Sequence, residues 1–203
     1  MMKEISESEL QKIVERVVRQ LIVSSPGSSF NLLDSADINR GQVTSSSEQL
    51  PSQSGNVIAI GADHGGFELK EDLKLFIQKQ GFQVDDCGTN SADSVDYPDF
   101  AYAVAQKVSQ GKAWRGIMID GAGIGSSMAA NKVPGIRASM CYDNKTAVNA
   151  REHNNANVLT LGAGMIDTNT ARQIVLTWLN TTFGGGRHAR RVDKIMKIEQ
   201  KGN

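Results

Sequence analysis

The 203 residues carry 22 Lys+Arg against 22 Asp+Glu, with three histidines and two cysteines. A formal charge of zero excludes a nucleic-acid binder, which needs a basic surplus to displace counterions from phosphates. Cys87 and Cys141 alone exclude a disulfide-stapled secreted fold and a cysteine-rich zinc site.

The apolar runs are too short to span a bilayer, and residues 1–23 lack a signal-peptide pattern. A cytoplasmic protein is expected. Residues 1–23 read as an amphipathic helix with its apolar stripe over 3–22. There Ile5, Leu10, Ile13, Val14, Val17, Val18, Leu21 and Ile22 recur mostly at steps of three and four. Ser6 or Ser8 supplies a cap, and Pro26-Gly27 a stop. Residues 24–55 contain ten serines with Pro26, Gly27, Gly41, Pro51 and Gly55. That composition cannot bury enough apolar area to offset ordering entropy, so a flexible linker is expected.

Residues 56–203 read as the folded domain. Val57–Ile60 is a short apolar strand entering the turn Ala62–Gly66. A helix follows, with Leu69, Leu73, Phe76 and Ile77 on one face and Gly81 as its stop. Strands are expected at Phe82–Val84, Gly116–Ile119, Ile136–Cys141 and Asn157–Leu161, with helices near 97–109, 126–132, 143–153 and 168–182. This alternation predicts βαβ crossovers and a mainly parallel sheet. In such sheets the ligand lies beyond the carboxyl ends of the strands.

The polar segments between these elements hold the candidate site. They are Gly61-Ala62-Asp63-His64-Gly65-Gly66, Asp120 to Ser127, Arg151 to Asn157, and Gly184 to Arg191. All three histidines fall in them, which places all three on the expected ligand side. Any one alone reads as a surface or capping residue. Glycines 121, 123 and 125 can converge backbone N–H groups on an oxyanion at a helix start. A tight turn explains them equally well. A dinucleotide loop would need glycine at 126, where Ser126 stands. Arg187, Arg190 and Arg191 suit phosphate recognition, or simply a solvated basic helix start. A phosphorylated substrate, an oxyanion loop and nearby His and Asp suggest proton transfer beside a carbonyl.

Taken together and in this order, these segments resemble the ribose-5-phosphate isomerase B family, which includes the galactose-6-phosphate isomerase subunits. The resemblance covers roughly residues 56–199. It rests on GADHGGFELK, Asp96-Tyr97-Pro98, GAGIG with Met128-Ala129-Ala130-Asn131-Lys132, REHNNANVLTLG and GGGRHARRV. It implies a Rossmann-like three-layer α/β/α fold with a five-stranded parallel sheet. It also implies a homodimer or tetramer with active sites shared between protomers, and no metal or nucleotide cofactor. By position, His153 would assist ring opening with Asn154 beside it. Asp63 and Tyr97 would hold sugar hydroxyls, while His64, Arg187 and Arg191 hold the phosphate and His188 supports them. Gly121, Gly123 and Gly125 would stabilise a cis-enediolate.

Three positions depart from the family pattern. Its usual base is a cysteine ending the third strand, where this chain has Asp120; a second branch places a glutamate at the position of Ser126. Asp120 is therefore the expected base, and its plainer reading is a loop or helix-capping carboxylate. The cysteines lie in other strands and read as small buried hydrophobes. Ala122 replaces a usual threonine or serine, and Gly164 a phosphate-binding arginine. The helix and linker of residues 1–55 resemble the encapsulation peptides of bacterial microcompartment cargo. They imply docking to a shell protein through residues 3–22 and a place inside a microcompartment. Four acidic and four basic residues balance along 3–22, which disfavours a membrane surface.

Overall fold

The computed structural model describes residues 56–201. The expected helix at 1–23 and linker at 24–55 lie outside the described residues. The elements run β1 (Val57–Ala62), α1 (Phe67–Lys79), β2 (Gln83–Asp86), α2 (Tyr97–Ser109), β3 (Arg115–Asp120) and α3 (Ile124–Ala130). They continue β4 (Ala138–Met140), α4 (Asn144–Glu152), β5 (Val158–Gly162), α5 (Thr168–Asn180) and α6 (Arg187–Glu199).

All strands are parallel, in the order β2-β1-β3-β5-β4. Burial on both faces explains why β1, β3 and β5 are nearly continuous apolar runs without alternation. Ile58, Ile60, Ile117, Ile119, Leu159 and Leu161 face one side, where α1, α4 and α5 cover them with Leu73, Ile77, Ala147, Ile174 and Trp178. Ala59 and Val158 face the other side, under Val104 and Ala105 of α2 and Ala130 of α3. The result is the expected three-layer α/β/α sandwich. The chain leaves β1 toward β2 on one flank and β3 on the other, so β1 and β3 bound the topological switch point.

Strand ends shift from expectation by one or two residues, β4 shrinking from 136–141 to Ala138–Met140, and two helices differ as well. Helix α3 begins at Ile124, inside the glycine loop, because Gly123 adopts φ 78° and turns the chain directly into the helix. Residues 187–199 form a full helix, α6, whose later part packs beside the segment that precedes β4, where Arg137 reaches Met196 Sδ. There Gly135 N donates to Glu199 Oε1 at 2.8 Å. At the amino-terminal edge of the sheet Arg115 donates to the α5 carbonyls Trp178 O and Leu179 O at 2.9 and 2.8 Å, capping the helix. No helix among the described residues is long and apolar enough to cross a membrane.

The fully buried Lys70 binds α1 to β2 by donating to both Asp86 oxygens at 2.8 and 2.9 Å. Burial raises the Asp86 carboxyl, but the bonds from Lys70 and Lys74 outweigh it and hold it below its ordinary value. A depressed carboxyl stabilises the fold fully above the unfolded value of about 4, and that stability is lost as pH falls through the lower folded value. Asp86→Asn should cost about 2–3 kcal/mol in urea unfolding near neutral pH, because it strands a buried ammonium that retains only Glu71. It should also flatten the loss of stability between about pH 5 and pH 2.

Candidate active site

Two loops meet at the switch point. β1 runs into Asp63–Gly66 and β3 into the glycine loop, and Asp63 N donates across to Ile119 O at 3.1 Å. Asp63 is buried, and its Oδ1 accepts from Gly66 N at 2.9 Å just before α1. His64 is exposed, its Nδ1 3.3 Å from Val95 N and 3.2 Å from Val95 O, so it accepts from the first or donates to the second according to its tautomer. Tyr97, the first residue of α2, lays its ring on Gly125. A Cβ there would stand 2.5 Å from the ring, so only glycine allows the approach.

The glycine loop is folded around Asp120, the last residue of β3 and 4% exposed. Oδ1 accepts from Ala122 N at 2.8 Å and from Gly123 N. Oδ2 accepts from Ser126 N at 3.1 Å and from Ser126 Oγ. A carboxylate has about four acceptor positions, and all four are used. The two positions at which the resembled family carries its bases, 120 and 126, are thus joined in one hydrogen-bonded pair.

This geometry corrects the expectation that three loop N–H groups converge on a ligand. Gly123 gives its N–H to Asp120, while those of Gly121 and Gly125 have no partner among the described residues. Ala122 closes the loop through its carbonyl, which accepts from Tyr142 Oη at 3.1 Å. Gly164 N donates to Gly121 O at 3.0 Å, so this backbone stands where the family's arginine is missing.

The cysteines, expected within strands, each stand one residue past one: Cys87 follows β2 and Cys141 follows β4. Cys141 is fully buried, whereas Cys87 is only half-buried. Burial pushes each thiol up to about 11, so neither is a thiolate near neutral pH. Among the described residues no three His, Cys, Asp or Glu side chains are arranged to hold a metal ion.

A second polar group gathers His153, Asn154, Arg187, His188 and Arg191. His153 ends α4 and His188 begins α6; their rings stack 4.2 Å apart at 4°. Gly184 N donates to Glu152 O at 2.9 Å and ties the two segments together. Partial desolvation, then His153, Arg187 and Arg191, hold His188 below the ordinary histidine value. Arg187 and Arg191 are exposed one helical turn apart, on one face of α6.

The placement of this group overturns the expectation that all three histidines share the ligand side. In a parallel sheet each helix returns antiparallel to its strands, so the end of α4 lies at their amino-terminal edge. Asn157 N donates to Arg137 O there, at the starts of β5 and β4. Only His64 stands at the carboxyl edge. The five residues of β5, at about 3.3 Å each, separate the two polar groups by roughly 16 Å. No hydrogen bond or ion pair joins them among the described residues. The sequence reading also passed over Asn149, which contacts His153 Nδ1 at 2.9 Å. Its i, i+4 spacing from His153 on the expected helix was the available signal.

A doubly wound parallel sheet with polar loops at its switch point defines the α/β class of proteins that bind small ligands at the carboxyl ends of their strands. The Ribose/Galactose Isomerase family model matches residues 58–195. Ribose-5-phosphate isomerase B of Escherichia coli K12 is 43% identical over 146 residues, covering 72% of this chain and 98% of that protein. D-erythrulose-4-phosphate isomerase of Pectobacterium atrosepticum is 42% identical over 145 residues, covering 71% and 95%. The solved Clostridium thermocellum ribose-5-phosphate isomerase B superposes with TM-score 0.72 at 51% identity, covering 72% of this chain and 99% of that one. The chain belongs to the ribose/galactose isomerase family.

Asp120→Asn would keep one oxygen but set an NH2 group against loop donors. It should lower stability by about 1–3 kcal/mol in urea unfolding, the cost of leaving buried N–H groups unpaired.

Proposed function

We propose that this protein is an aldose–ketose isomerase of a phosphorylated sugar, working through a cis-enediolate with Asp120 as the base at carbon. The observation that carries this reading is the Asp120–Ser126 pair at the switch point, beside the free N–H groups of Gly121 and Gly125. Asp120 would take the proton from C2 and return it to C1, while those N–H groups stabilise the oxyanion. To do so it must free one lone pair. Of its four donors only Ser126 Oγ can leave by rotating a side chain; the other three are backbone. Asp63 and Tyr97 would hold sugar hydroxyls.

The active site on this reading is built from two copies of the chain. Asp63, His64, Tyr97 and the glycine loop come from the carboxyl edge of one copy, and His153, Asn154, Arg187, His188 and Arg191 from the amino edge of another. Their separation within one chain supports this arrangement, as does the chemistry: a phosphate needs the guanidinium groups and an enediolate needs the loop. Mixing Asp120→Asn and His153→Ala proteins should restore about a quarter of wild-type activity. Half of the dimers are then mixed, and each keeps one of two sites intact. No recovery on mixing would place each site within one chain.

Asp120 itself is tested by assaying five-carbon and four-carbon sugar phosphates with wild type, Asp120→Asn and Ser126→Ala. Asp120→Asn should lose at least about a hundredfold in kcat. Ser126→Ala, which leaves a lone pair permanently free, should not. Equal rates in wild type and Asp120→Asn would remove Asp120 from the mechanism. A second reading, a sugar-phosphate-binding protein weakened or inactive in catalysis, is favoured by the saturation of the carboxylate. Tight sugar-phosphate binding without turnover by wild type would select it.

The apolar pattern of residues 3–22 supports docking to a bacterial microcompartment shell protein. Deleting residues 1–23 should leave activity intact and abolish co-purification with shell proteins; retained co-purification would assign the docking elsewhere.

A further inference from the structure

Asn149 lies one helical turn before His153 on α4, and its amide joins two residues of the amino-edge group. Asn154 Nδ2 donates to Asn149 Oδ1 and to the Asn149 main-chain oxygen, each at 3.1 Å. The bond to Oδ1 identifies the oxygen end of the Asn149 amide. Asn149 Nδ2 therefore faces His153 Nδ1 at 2.9 Å. An amide nitrogen only donates, so Nδ1 accepts and the neutral ring carries its proton on Nε2. The nearest carboxylate oxygen to Nε2, on Glu152, stands 3.8 Å away, beyond hydrogen-bond range. His188, stacked at 4.2 Å, fixes the plane of the ring.

We propose that Asn149 is a positioning residue for sugar-ring opening, holding His153 in the tautomer that presents Nε2–H to the ring oxygen of a cyclic aldose phosphate. This rests on the isomerase reading of the site. In the opening step the bond from C1 to the ring oxygen breaks toward oxygen, which takes the Nε2 proton. The electron pair of the O1–H bond becomes the second bond of the C1 carbonyl, and its proton returns to the imidazole through water. The other tautomer would turn a bare lone pair toward an oxygen that needs a proton. Asn149 takes no part in the transfer at carbon, which belongs to the opposite-edge loop of another copy.

The test reverses the relay. Asn149→Asp is nearly isosteric and exposed, and its carboxylate only accepts, so it draws the ring proton to Nδ1. With only three histidines in the chain, nitrogen-15 histidine spectra at about pH 8, where histidine rings are neutral, distinguish each ring. His153 should change from the Nε2–H to the Nδ1–H form in Asn149→Asp, with His64 and His188 unmoved. Asn149→Leu, which removes the relay without adding an acceptor, should give a mixture. Turnover of a cyclic aldopentose 5-phosphate should fall about ten- to hundredfold in Asn149→Asp, as when other partners that orient a functional histidine are lost. Solvent deuterium exchange into the open-chain 2-ketose 5-phosphate, which has no ring to open, should fall far less. An unchanged His153 tautomer, or equal losses in the two assays, overturns the proposal. If wild type neither isomerises nor exchanges any sugar phosphate, the isomerase reading and the ring-opening role fail together. The spectra then still decide whether Asn149 sets the tautomer.

Discussion

Four donors converge on the carboxylate that ends β3, and the shape of the glycine loop follows from them. With Ala122 N, Gly123 N and both Ser126 donors turned inward onto Asp120, the chain must double back above the sheet. Gly123 makes that turn at φ 78°, where a Cβ would fall 2.9 Å from the backbone of Leu161. Its carbonyl accepts from Thr160 Oγ1 at 2.8 Å, which pins the loop to β5. The N–H groups of Gly121 and Gly125 are left without a partner among the described residues. A thiol is a weak acceptor and could not gather these donors. Placing a carboxylate here therefore makes the loop self-supporting, where a sulfur would leave its N–H groups in need of other partners.

The second constraint is topological. Every crossover in a parallel sheet returns its helix to the amino-terminal edge, so a residue that ends a helix stands a strand length from a residue that ends a strand. His153 ends α4 and Asp120 ends β3. No local rearrangement brings them together, and the gap exceeds the length of a five-carbon sugar phosphate. If the basic group on α6 and the glycine loop serve one substrate, as proposed, they do so across a contact between copies. On the proposed reading the oligomer is a requirement of the chemistry, because each copy would carry only part of a site.

The layered fold was legible because its signals are short-range. The apolar runs of β1, β3 and β5 and the 3.6-residue period of α1 identify buried strands and a packed helix without tertiary information. Glycine punctuation located the loops, and Asp63, His64, Tyr97 and Asp120 all stand at the carboxyl edge of the sheet. What escaped was direction. A motif read along a line does not say at which edge of the sheet it will emerge, so His153 and His188 were grouped with His64. Of helix α6 only a solvated basic start was legible, because the contacts that seat the rest, such as Gly135 to Glu199, span distant parts of the chain. The role of Asn149 needed both a helix phase and the orientation of an amide, and only the first is written in spacing.

The thiols sharpen what the carboxylate must do. Cys87 and Cys141 follow strands that point toward the same edge as the glycine loop, yet burial keeps both protonated, so no sulfur base is on offer. On the proposed mechanism proton abstraction from carbon falls to oxygen, and the Asp120 carboxylate assigned that task is the one that also holds the loop. The two duties compete for the same lone pairs. Every backbone bond to Asp120 is fixed by the path of the chain, whereas the Ser126 hydroxyl is held by a single torsion. Rotating it away exposes one acceptor position and leaves three bonds to keep the loop in shape. On that mechanism Ser126 would separate support from reactivity: with its hydroxyl on Oδ2 the carboxylate is a clamp, and with the hydroxyl turned aside the same carboxylate could accept a proton while the backbone bonds keep the loop in shape.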